Sequence, residues 1–348
     1  GPRLLAGNAL HADVSPEMPM SAVFGWVLCS LGQQHGFPVP EGGAGQITSA
    51  LVRRLEAAGG SVLCDQRVES IECRGRRAVA ARTSDGRYEA RRAIIADVGP
   101  PQLYRDLLPR EVVPARLLSD LDDFQYDNGT VKVDWTLDGP IPWRTERARQ
   151  AGTVHVAEGM DALTVQASEM ARKLIPADPY LVLGQYGHFD PTRAPAGKDT
   201  AWAYTHVPQR IVGDARGQLK GTWDDAETEL FADRIEEQVE ALAPGFRSLI
   251  RGRHVFTPRT FEQANRNLVG GALNGGTAQI QQQLVFRPTP NLARPETPVD
   301  GLFLGSASAH PGGGVHGGPG ANAAAAVLGA ARVTGLRPIS RLSRALQR

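Results

Sequence analysis

Cysteine is scarce in this sequence, and its spacing excludes two ways of stabilising a fold. The 348 residues contain three cysteines, at Cys29, Cys64 and Cys73, and no two of them form a C-x-x-C pair. An odd number of widely spaced cysteines supports neither a disulfide framework nor a structural zinc site. We therefore expect a protein of the reducing cytoplasm that has no metal centre.

The sequence also lacks an excess of charge and any long apolar run. Lys plus Arg number 38 and Asp plus Glu number 37, so the net charge is +1. A nearly neutral chain has no overall field that would attract nucleic acid, and we expect no nucleic-acid partner. No run approaches 18 apolar residues, and the N-terminus lacks the layout of a signal peptide. We expect a soluble protein, with peripheral membrane contact and the oligomeric state left open.

The length of the chain favours about two domains. After Pro40, the sequence predicts a helix whose apolar positions Ile47, Leu51 and Leu55 lie on one stripe. Asp85 and Gly86 indicate a hairpin turn further along the chain. The strands predicted around it cover residues 62–64, 68–73, 78–83 and 88–96.

The middle of the chain has the pattern of an antiparallel sheet. Apolar and polar residues alternate over residues 131–137, as in a half-buried strand, and 180–189 and 200–207 are predicted partner strands. His206 lies in the last of these, and we interpret it as a core histidine whose ring nitrogens are satisfied by hydrogen bonds. A helix over 224–242 has an apolar face, which predicts an α+β region covered by helices on one side.

The most conspicuous feature present is the run HPGGGVHGGPGANAAAA, residues 310–326. Gly312, Gly314 and Gly317 satisfy the G-x-G-x-x-G pattern of dinucleotide-binding turns, and an apolar segment precedes them. No acidic residue follows to bind a ribose, however, and no strand is predicted after the helix, so the context is wrong for that fingerprint. The glycines and the following helix start still suit close approach of an anionic or strongly accepting ligand. A mobile surface loop is the alternative.

Two further groups of residues are candidates for the site. His310 and His316 flank the glycine run and are weak catalytic candidates, with loop-ordering hydrogen bonds as the alternative role. In the segment NLVGGALNGGTAQIQQQLVFRP, Asn274 and Gln283 with the nearby glycines indicate either a substrate channel or tight turns. Both interpretations stay open.

Three blocks of sequence, in order, resemble one known family. The blocks are FPVPEGGAGQITSALVRRLEAAGGSVLCDQRVESI, DPTRAPAGKDTAWAYTHVP and GLFLGSASAHPGGGVHGGPGANAAAA. Together they resemble the phytoene desaturase-like FAD-dependent oxidoreductases, in particular the branch called pyridine nucleotide-disulfide oxidoreductase domain-containing protein 2. In such enzymes the flavin carries the chemistry, which agrees with the absence of H-E-x-x-H, G-x-S-x-G and Walker motifs.

The resemblance implies a fold of α/β plus α+β class. A partial FAD/NAD(P)-binding, Rossmann-like domain would be interrupted by an antiparallel-sheet domain that binds a hydrophobic small-molecule substrate. The implied boundaries are 37–100 and 288–335 for the FAD-binding domain, 101–287 for the substrate domain and 1–36 for an interdomain segment.

The resemblance also implies which residues contact FAD. Gly305 and Ser306 would lie by the ribityl phosphate, although related flavoproteins often have Asp where Ser306 stands. The backbone around Val68 would contact the adenosine half, and the flavin ring would meet the start of the last helix. The complete cofactor-binding set implied is Gly42, Gly43, Val68, Gly305, Ser306, Gly314, Val315, His316 and Gly317.

One departure from the family limits the expectation. The N-terminal G-x-G-x-x-G unit that binds the FAD pyrophosphate is not found before Phe37. We therefore expect a C-terminal portion of a longer oxidoreductase, colourless and inactive by itself. Two other functions remain: a monoamine-oxidase-like enzyme using Tyr186, Trp202 and Tyr204 as an aromatic cage, and a non-catalytic lipid- or partner-binding module with a vestigial flavin site.

Overall fold

The computed structural model describes residues 1–11 and 13–332, and it divides the chain into two compact units. Unit 1 consists of Gly1–Val62 and Asn128–Ala272, and unit 2 consists of Leu63–Asp127 and the described residues from Leu273 onward. Each unit is thus built from two separate stretches of the chain.

Helices and strands alternate irregularly along the chain. The helices are α1 (Pro2–Leu10), α2 (Ser21–His35), α3 (Gly45–Ala57), α4 (Ala115–Asp120), α5 (Glu146–Arg149), α6 (Met160–Ala171), α7 (Asp225–Leu242), α8 (Phe246–Leu249), α9 (Pro258–Ala264) and α10 (Gly318–Arg332). The strands are β1 (Val68–Arg74), β2 (Arg77–Thr83), β3 (Gly86–Glu89), β4 (Ile94–Ala96), β5 (Gly129–Leu137), β6 (Thr153–Val156), β7 (Leu174–Ile175), β8 (Leu181–Gln185), β9 (Asp199–Val207), β10 (Gly213–Asp214), β11 (Ile250–Phe256) and β12 (Leu302–Leu304).

Unit 1 is built on a five-stranded antiparallel sheet with the order β11-β5-β9-β8-β6. The alternation predicted for β5 is present, because its apolar side chains are buried against the apolar face of α7. Helix α7 begins after Asp224, whose carboxylate accepts a hydrogen bond from the Glu227 amide at 3.0 Å. Trp135 Nε1 donates to Glu236 Oε1 at 3.0 Å and so joins the sheet to this helix.

The opposite face of the same sheet is also covered, which corrects the expectation of helices on one face. Ala6 and Leu10 of α1 and Leu163 of α6 pack with Tyr180 and Val182. The expectation failed because α1 has only a short apolar stretch, and a segment of nine residues gives little periodic signal.

Unit 2 holds the strand, glycine loop and helix near the end of the described chain. Strand β12 pairs in parallel with β4, and all three residues of β12 are buried. Leu103, in a π-helical segment over Gln102–Leu107, and Leu117 of α4 belong to the same core as Leu302 and Leu304. Strands β1, β2 and β3 form a separate antiparallel sheet, and the predicted hairpin joins β2 to β3 through a turn at Ser84 and Asp85, one residue earlier than predicted.

Several predicted boundaries differ from the structure. Residues 62–64 form no strand, and the predicted strand over 88–96 divides into β3, which is exposed, and β4, which leaves the hairpin to pair with β12. Helix α3 forms as predicted, but none of its residues is buried, so its apolar stripe is exposed.

The unit boundaries also differ from the predicted domain limits. Residues 37–62 lie in unit 1, whereas 101–127 and 273–287 lie in unit 2. The segment 101–127 belongs to unit 2 because the apolar residues of 102–121 are buried in the same core as β4 and β12. Within the described residues, no helix has both the length and the apolar composition of a membrane span.

Candidate functional site

The glycine-rich segment predicted to meet a cofactor lies in unit 2, between β12 and α10. Gly305 directly follows β12, and a Cβ atom added there would lie 2.8 Å from Ile95 Cγ2 and 3.4 Å from the Ala323 Cβ. Such close contacts require a residue without a side chain, because a real Cβ almost never approaches another carbon to 2.8 Å. Gly305 therefore lets α10 pack against the end of the two parallel strands.

The tip of this loop is open. Gly314 and Gly317 have φ angles of 149° and 62°, and the side chain of Val315 between them is 93% exposed. Nothing lies within 4 Å of a Cβ added at Gly317 or at Gly320 in the first turn of α10. The loop thus leaves free space beside exposed backbone at the positive end of a helix, which suits an anionic or accepting group.

The two histidines of the loop have different surroundings. His316 is exposed, and its Nδ1 accepts a hydrogen bond from the Gly318 amide at 2.9 Å, at the start of α10. His310 has a buried Nδ1 without a hydrogen-bond partner, while its carbonyl accepts from Asn322 Nδ2 at 3.3 Å. The loop-ordering role predicted as an alternative is seen for His316, and the catalytic role of either residue stays a prediction.

Ser306, which would lie near the ribityl phosphate, is buried at the foot of the loop. Its Oγ accepts a hydrogen bond from the Ser308 amide at 3.3 Å, and the Ser308 hydroxyl donates to the Gly275 carbonyl at 2.6 Å. The serine side chains at this turn therefore connect the glycine-rich loop to the segment around residue 275. The contact between Ser306 and a cofactor stays a prediction.

A buried aspartate and a buried arginine hold the segment around residue 275. Asp127 accepts hydrogen bonds from the amides of Leu273, Asn274 and Gly276 at 2.8–3.0 Å. Burial raises the pKa of Asp127, and these amide bonds oppose that rise.

Arg287 binds the same segment from the other side. Its guanidinium donates to four carbonyl groups, those of Asn274, Gly276, Thr277 and Ala307. Because Ala307 belongs to the loop after β12, this one side chain joins the two segments.

The two substrate candidates have contrasting positions in this arrangement. Gln283 is buried, and its Nε2 donates to the Thr277 carbonyl at 3.2 Å. Asn274 lies beside the glycine-rich loop, since a Cβ added at Gly313 would be 3.0 Å from the Asn274 Cα. These contacts match the interpretation of the glycines as tight turns, and a role for either side chain in substrate binding stays a prediction.

The other predicted cofactor residues, Val68, Gly42 and Gly43, lie outside the glycine-rich loop. Val68 begins β1 in unit 2 and is exposed. Gly42 and Gly43 belong to unit 1, where the Gly42 amide donates to Asp190 Oδ2 at 2.9 Å. Arg193 donates to the same carboxylate oxygen at 2.8 Å and to the Pro40 carbonyl at 3.0 Å. Two of the blocks that carried the family resemblance are therefore in direct contact.

Aromatic side chains form a continuous surface along β8 and β9 in unit 1. Trp202 and Tyr204 stack nearly parallel with ring centroids 6.0 Å apart, and Tyr186 lies 6.0 Å from Trp202. The structure thus brings together all three residues predicted as candidates for an amine cage. The Arg193 guanidinium lies 5.7 Å from the centre of the Tyr186 ring.

A histidine pair adjoins this aromatic surface. His11 Nε2 and His155 Nε2 are 2.7 Å apart, and Tyr204 Oη lies 3.4 Å from His11 Nδ1. Burial lowers the pKa of both histidines to about 4. His206 on β9 is buried, as predicted, but both of its ring nitrogens are buried without a hydrogen-bond partner, so it is not the satisfied histidine that was expected. Burial also lowers its pKa to about 4.

Sequence reasoning missed the residues that act through long-range contacts. Asp127, His11 and His155 stand in no motif, and their partners are distant in the chain. Arg287 lies in the segment of residues 267–288, in which only Asn274, Gln283 and the glycines were considered. Asp190 had a local signal, because an Asp followed by Pro and Thr is typical of a capping position, and its side chain does accept from the Thr192 amide. No sequence signal indicated the hydrogen bond between Asp190 and the distant Gly42 amide.

The family of the chain follows from comparison with known proteins. A family model described as flavin containing amine oxidoreductase matches residues 3–328, so the chain belongs to that family. The predicted resemblance to the phytoene desaturase-like flavoproteins is confirmed by the relatives.

One relative is the rat pyridine nucleotide-disulfide oxidoreductase domain-containing protein 2, which is 28% identical over 335 residues, covering 92% of this chain and 56% of the rat protein. The lycopene-forming phytoene desaturase of Pseudescherichia vulneris is 24% identical over 289 residues, covering 83% of this chain and 55% of the desaturase. The chain therefore spans about half the length of the curated relatives it matches.

A solved structure supports the fold of the chain. Cyclohexylamine oxidase from Brevibacterium oxydans IH-35A superposes with a TM-score of 0.57 at 12% identity, covering 95% of this chain and 64% of that one. The shared fold combines helices and sheets, as observed in both units.

Proposed function

We propose that the protein is an FAD-dependent oxidoreductase in which unit 2 contributes the loop that meets the flavin. The observation that carries this proposal is the open loop between β12 and α10, with free space beside Gly317 and Gly320 at a helix start. Membership of a flavin oxidoreductase family supports it. The residues present fit the edge of a flavin, because backbone amides and a helix dipole can face its polar groups.

The roles of the residues follow from their positions. The backbone of residues 314–317 and the first turn of α10 would orient the flavin ring, and Gly305 and Ser306 would lie near the ribityl phosphate. When bound, FAD supplies the chemistry by accepting a hydride at its N5 atom. The chain itself needs to hold the ring, exclude water and present the substrate, with Val315 adding an apolar surface at the loop tip.

The proposed substrate is a hydrophobic small molecule that undergoes dehydrogenation or isomerisation. Asn274, next to the glycine-rich loop, is the side chain best placed to contact it, because Gln283 already donates to a carbonyl. The names of the curated relatives include phytoene desaturases, which supports a substrate of this class.

Amine oxidation is the second candidate, and one observation favours it. Tyr186, Trp202 and Tyr204 form a contiguous aromatic surface, and aromatic faces attract organic cations. The superposed cyclohexylamine oxidase supports this candidate only through its fold. A third possibility is a binding module with no catalytic flavin, which would bind an apolar ligand but no FAD.

The experiment uses the product of the full reading frame that encodes this chain. We expect FAD to co-purify in a ratio of about one per chain and to bleach anaerobically with an apolar polyene, whereas bleaching by alkylamines alone would select the second candidate. A product that binds the polyene but holds no FAD, even after addition of excess FAD, would contradict the enzyme.

A pair of variants locates the cofactor contact. Val315→Asp places a negative charge at the loop tip and should weaken FAD binding about tenfold by repelling its electron-rich edge. Val212→Asp is the matched control, because Val212 is also an exposed valine and belongs to unit 1. Equal FAD affinity in both variants would contradict the proposed contact between this loop and FAD.

A further inference from the structure

Unit 1 contains a buried carboxylate, that of Asp190, which binds the glycine-containing loop of residues 40–43. Asp190 is 4% exposed and accepts four hydrogen bonds, from Thr192 N and Oγ1, Arg193 Nε and Gly42 N. The bonds from Thr192 and Arg193 hold the pKa of Asp190 well below its usual range. A carboxylate that is buried and satisfied in this way is fixed in place.

Arg193 extends this arrangement in two directions. Its Nη2 donates to the Pro40 carbonyl at 3.0 Å, so the loop of residues 40–43 is held at both ends, through Pro40 and through Gly42. Its guanidinium also lies over the Tyr186 ring, at 5.7 Å from the centroid. Tyr186 in turn contacts Trp202. One ion pair thus joins the loop to the aromatic surface.

We propose that Asp190 and Arg193 are positioning residues that fix the loop of residues 40–43, a predicted cofactor contact, relative to the aromatic surface of Tyr186, Trp202 and Tyr204. The proposal rests on the proposed function, because it gives the loop a role in binding FAD. Neither residue needs to touch the reacting atoms. Their role is to keep a glycine loop, which would otherwise sample many backbone conformations, in a single one.

The first test measures hydrogen exchange at the Gly42 and Gly43 amides in the chain of residues 1–348. Asp190→Asn and Arg193→Gln should each accelerate exchange there about tenfold, since each removes a charge-assisted hydrogen bond. The control is Arg216→Gln, which also removes an arginine ion pair of unit 1, with Asp178 and Glu237. Exchange in β9 should be the same in all variants.

The conservative variant Arg193→Lys separates positioning from overall stability. Lysine can keep the charge near Asp190 but cannot donate to Asp190 and Pro40 together as the guanidinium does, so protection of the loop should be intermediate. If Asp190→Asn fails to fold, Arg193→Lys still tests the proposal, because it leaves Asp190 and Thr192 unchanged. Loop exchange in Arg193→Gln and Arg193→Lys within twofold of the unmodified chain would overturn the proposal.

The second test measures FAD affinity in the product of the full reading frame. Arg193→Gln should raise the dissociation constant for FAD about tenfold while its melting temperature matches that of Arg216→Gln. If loop exchange accelerates but FAD affinity is unchanged, the residues are structural only and the positioning role is wrong. If the unmodified protein binds no FAD, the proposed function itself fails, and the exchange data still report whether the ion pair holds the loop.

Discussion

Acid should destabilise unit 1 through its half-buried pair of histidines, His11 and His155, and replacing His155 tests this most clearly. The contact of 2.7 Å between His11 Nε2 and His155 Nε2 requires one ring nitrogen to donate and the other to accept. Two protonated rings have no acceptor, so this contact excludes the doubly protonated pair. Burial accordingly lowers the pKa of His155 from its ordinary value of 6.5 to about 4.

The sign and size of the effect follow from proton linkage. Below about pH 6.5 the unfolded chain binds protons that the folded chain refuses, so the free energy of unfolding falls as the pH drops towards 4. For one histidine, the difference between 6.5 and about 4 corresponds to a loss of about 3 kcal/mol over this range. The loss is absent above the ordinary pKa and complete below the lowered one.

The assay is urea denaturation followed by circular dichroism between about pH 7 and about pH 4. His155→Gln keeps a hydrogen-bonding side chain but no titrating group, so its stability should fall by about 3 kcal/mol less than that of the unmodified chain across this range. Parallel pH curves for the unmodified chain and His155→Gln would refute the reasoning.

Two further substitutions test the contacts of two buried arginine side chains, Arg287 and Arg234. Arg287→Met in unit 2 should lower the free energy of unfolding by about 3 kcal/mol or more, because it removes a charged donor from four carbonyl groups, of which only that of Thr277 keeps the bond from Gln283. A change below about 1 kcal/mol would show that water replaces the guanidinium. Asp214→Asn in unit 1 should lower the free energy of unfolding by about 3–5 kcal/mol, since it leaves the buried Arg234 charge without its partner. Urea denaturation measures the stability loss of both variants. Asp178→Asn, which removes an exposed partner of Arg216, should cost less than about 1 kcal/mol.

Periodic patterns predicted three of the five strands of the unit 1 sheet, β5, β8 and β9, for a physical reason, whereas β6 and β11 were not predicted. Strand β5 buries its apolar side chains and leaves Lys132, Asp134 and Thr136 at least partly exposed, so its sequence alternates, and α7 carries both an apolar face and a capping Asp224. The segment 88–96 was misjudged because β4 is apolar throughout, and such a run does not indicate whether it continues a hairpin or joins another sheet. The same limit applies to the unit boundaries, which depend on contacts far apart in the chain.

The candidate site was predictable only in its backbone. Glycines at 305, 314 and 317 stand out in sequence because close packing and unusual φ angles favour them. The side chains that fix the surrounding segments, such as Arg287 and Asp190, act on carbonyls and amides, which every residue type possesses. No sequence pattern marks those partners, and the structure was needed to find them.

The central claim is that the loop between β12 and α10 meets FAD. The measurement that tests it most directly is hydrogen exchange of residues 312–320 in the product of the full reading frame, with and without FAD. We expect bound FAD to slow exchange in this segment at least about tenfold, because backbone amides that face the cofactor are no longer open to water. Stoichiometric FAD binding with unchanged exchange at residues 312–320 would contradict the claim.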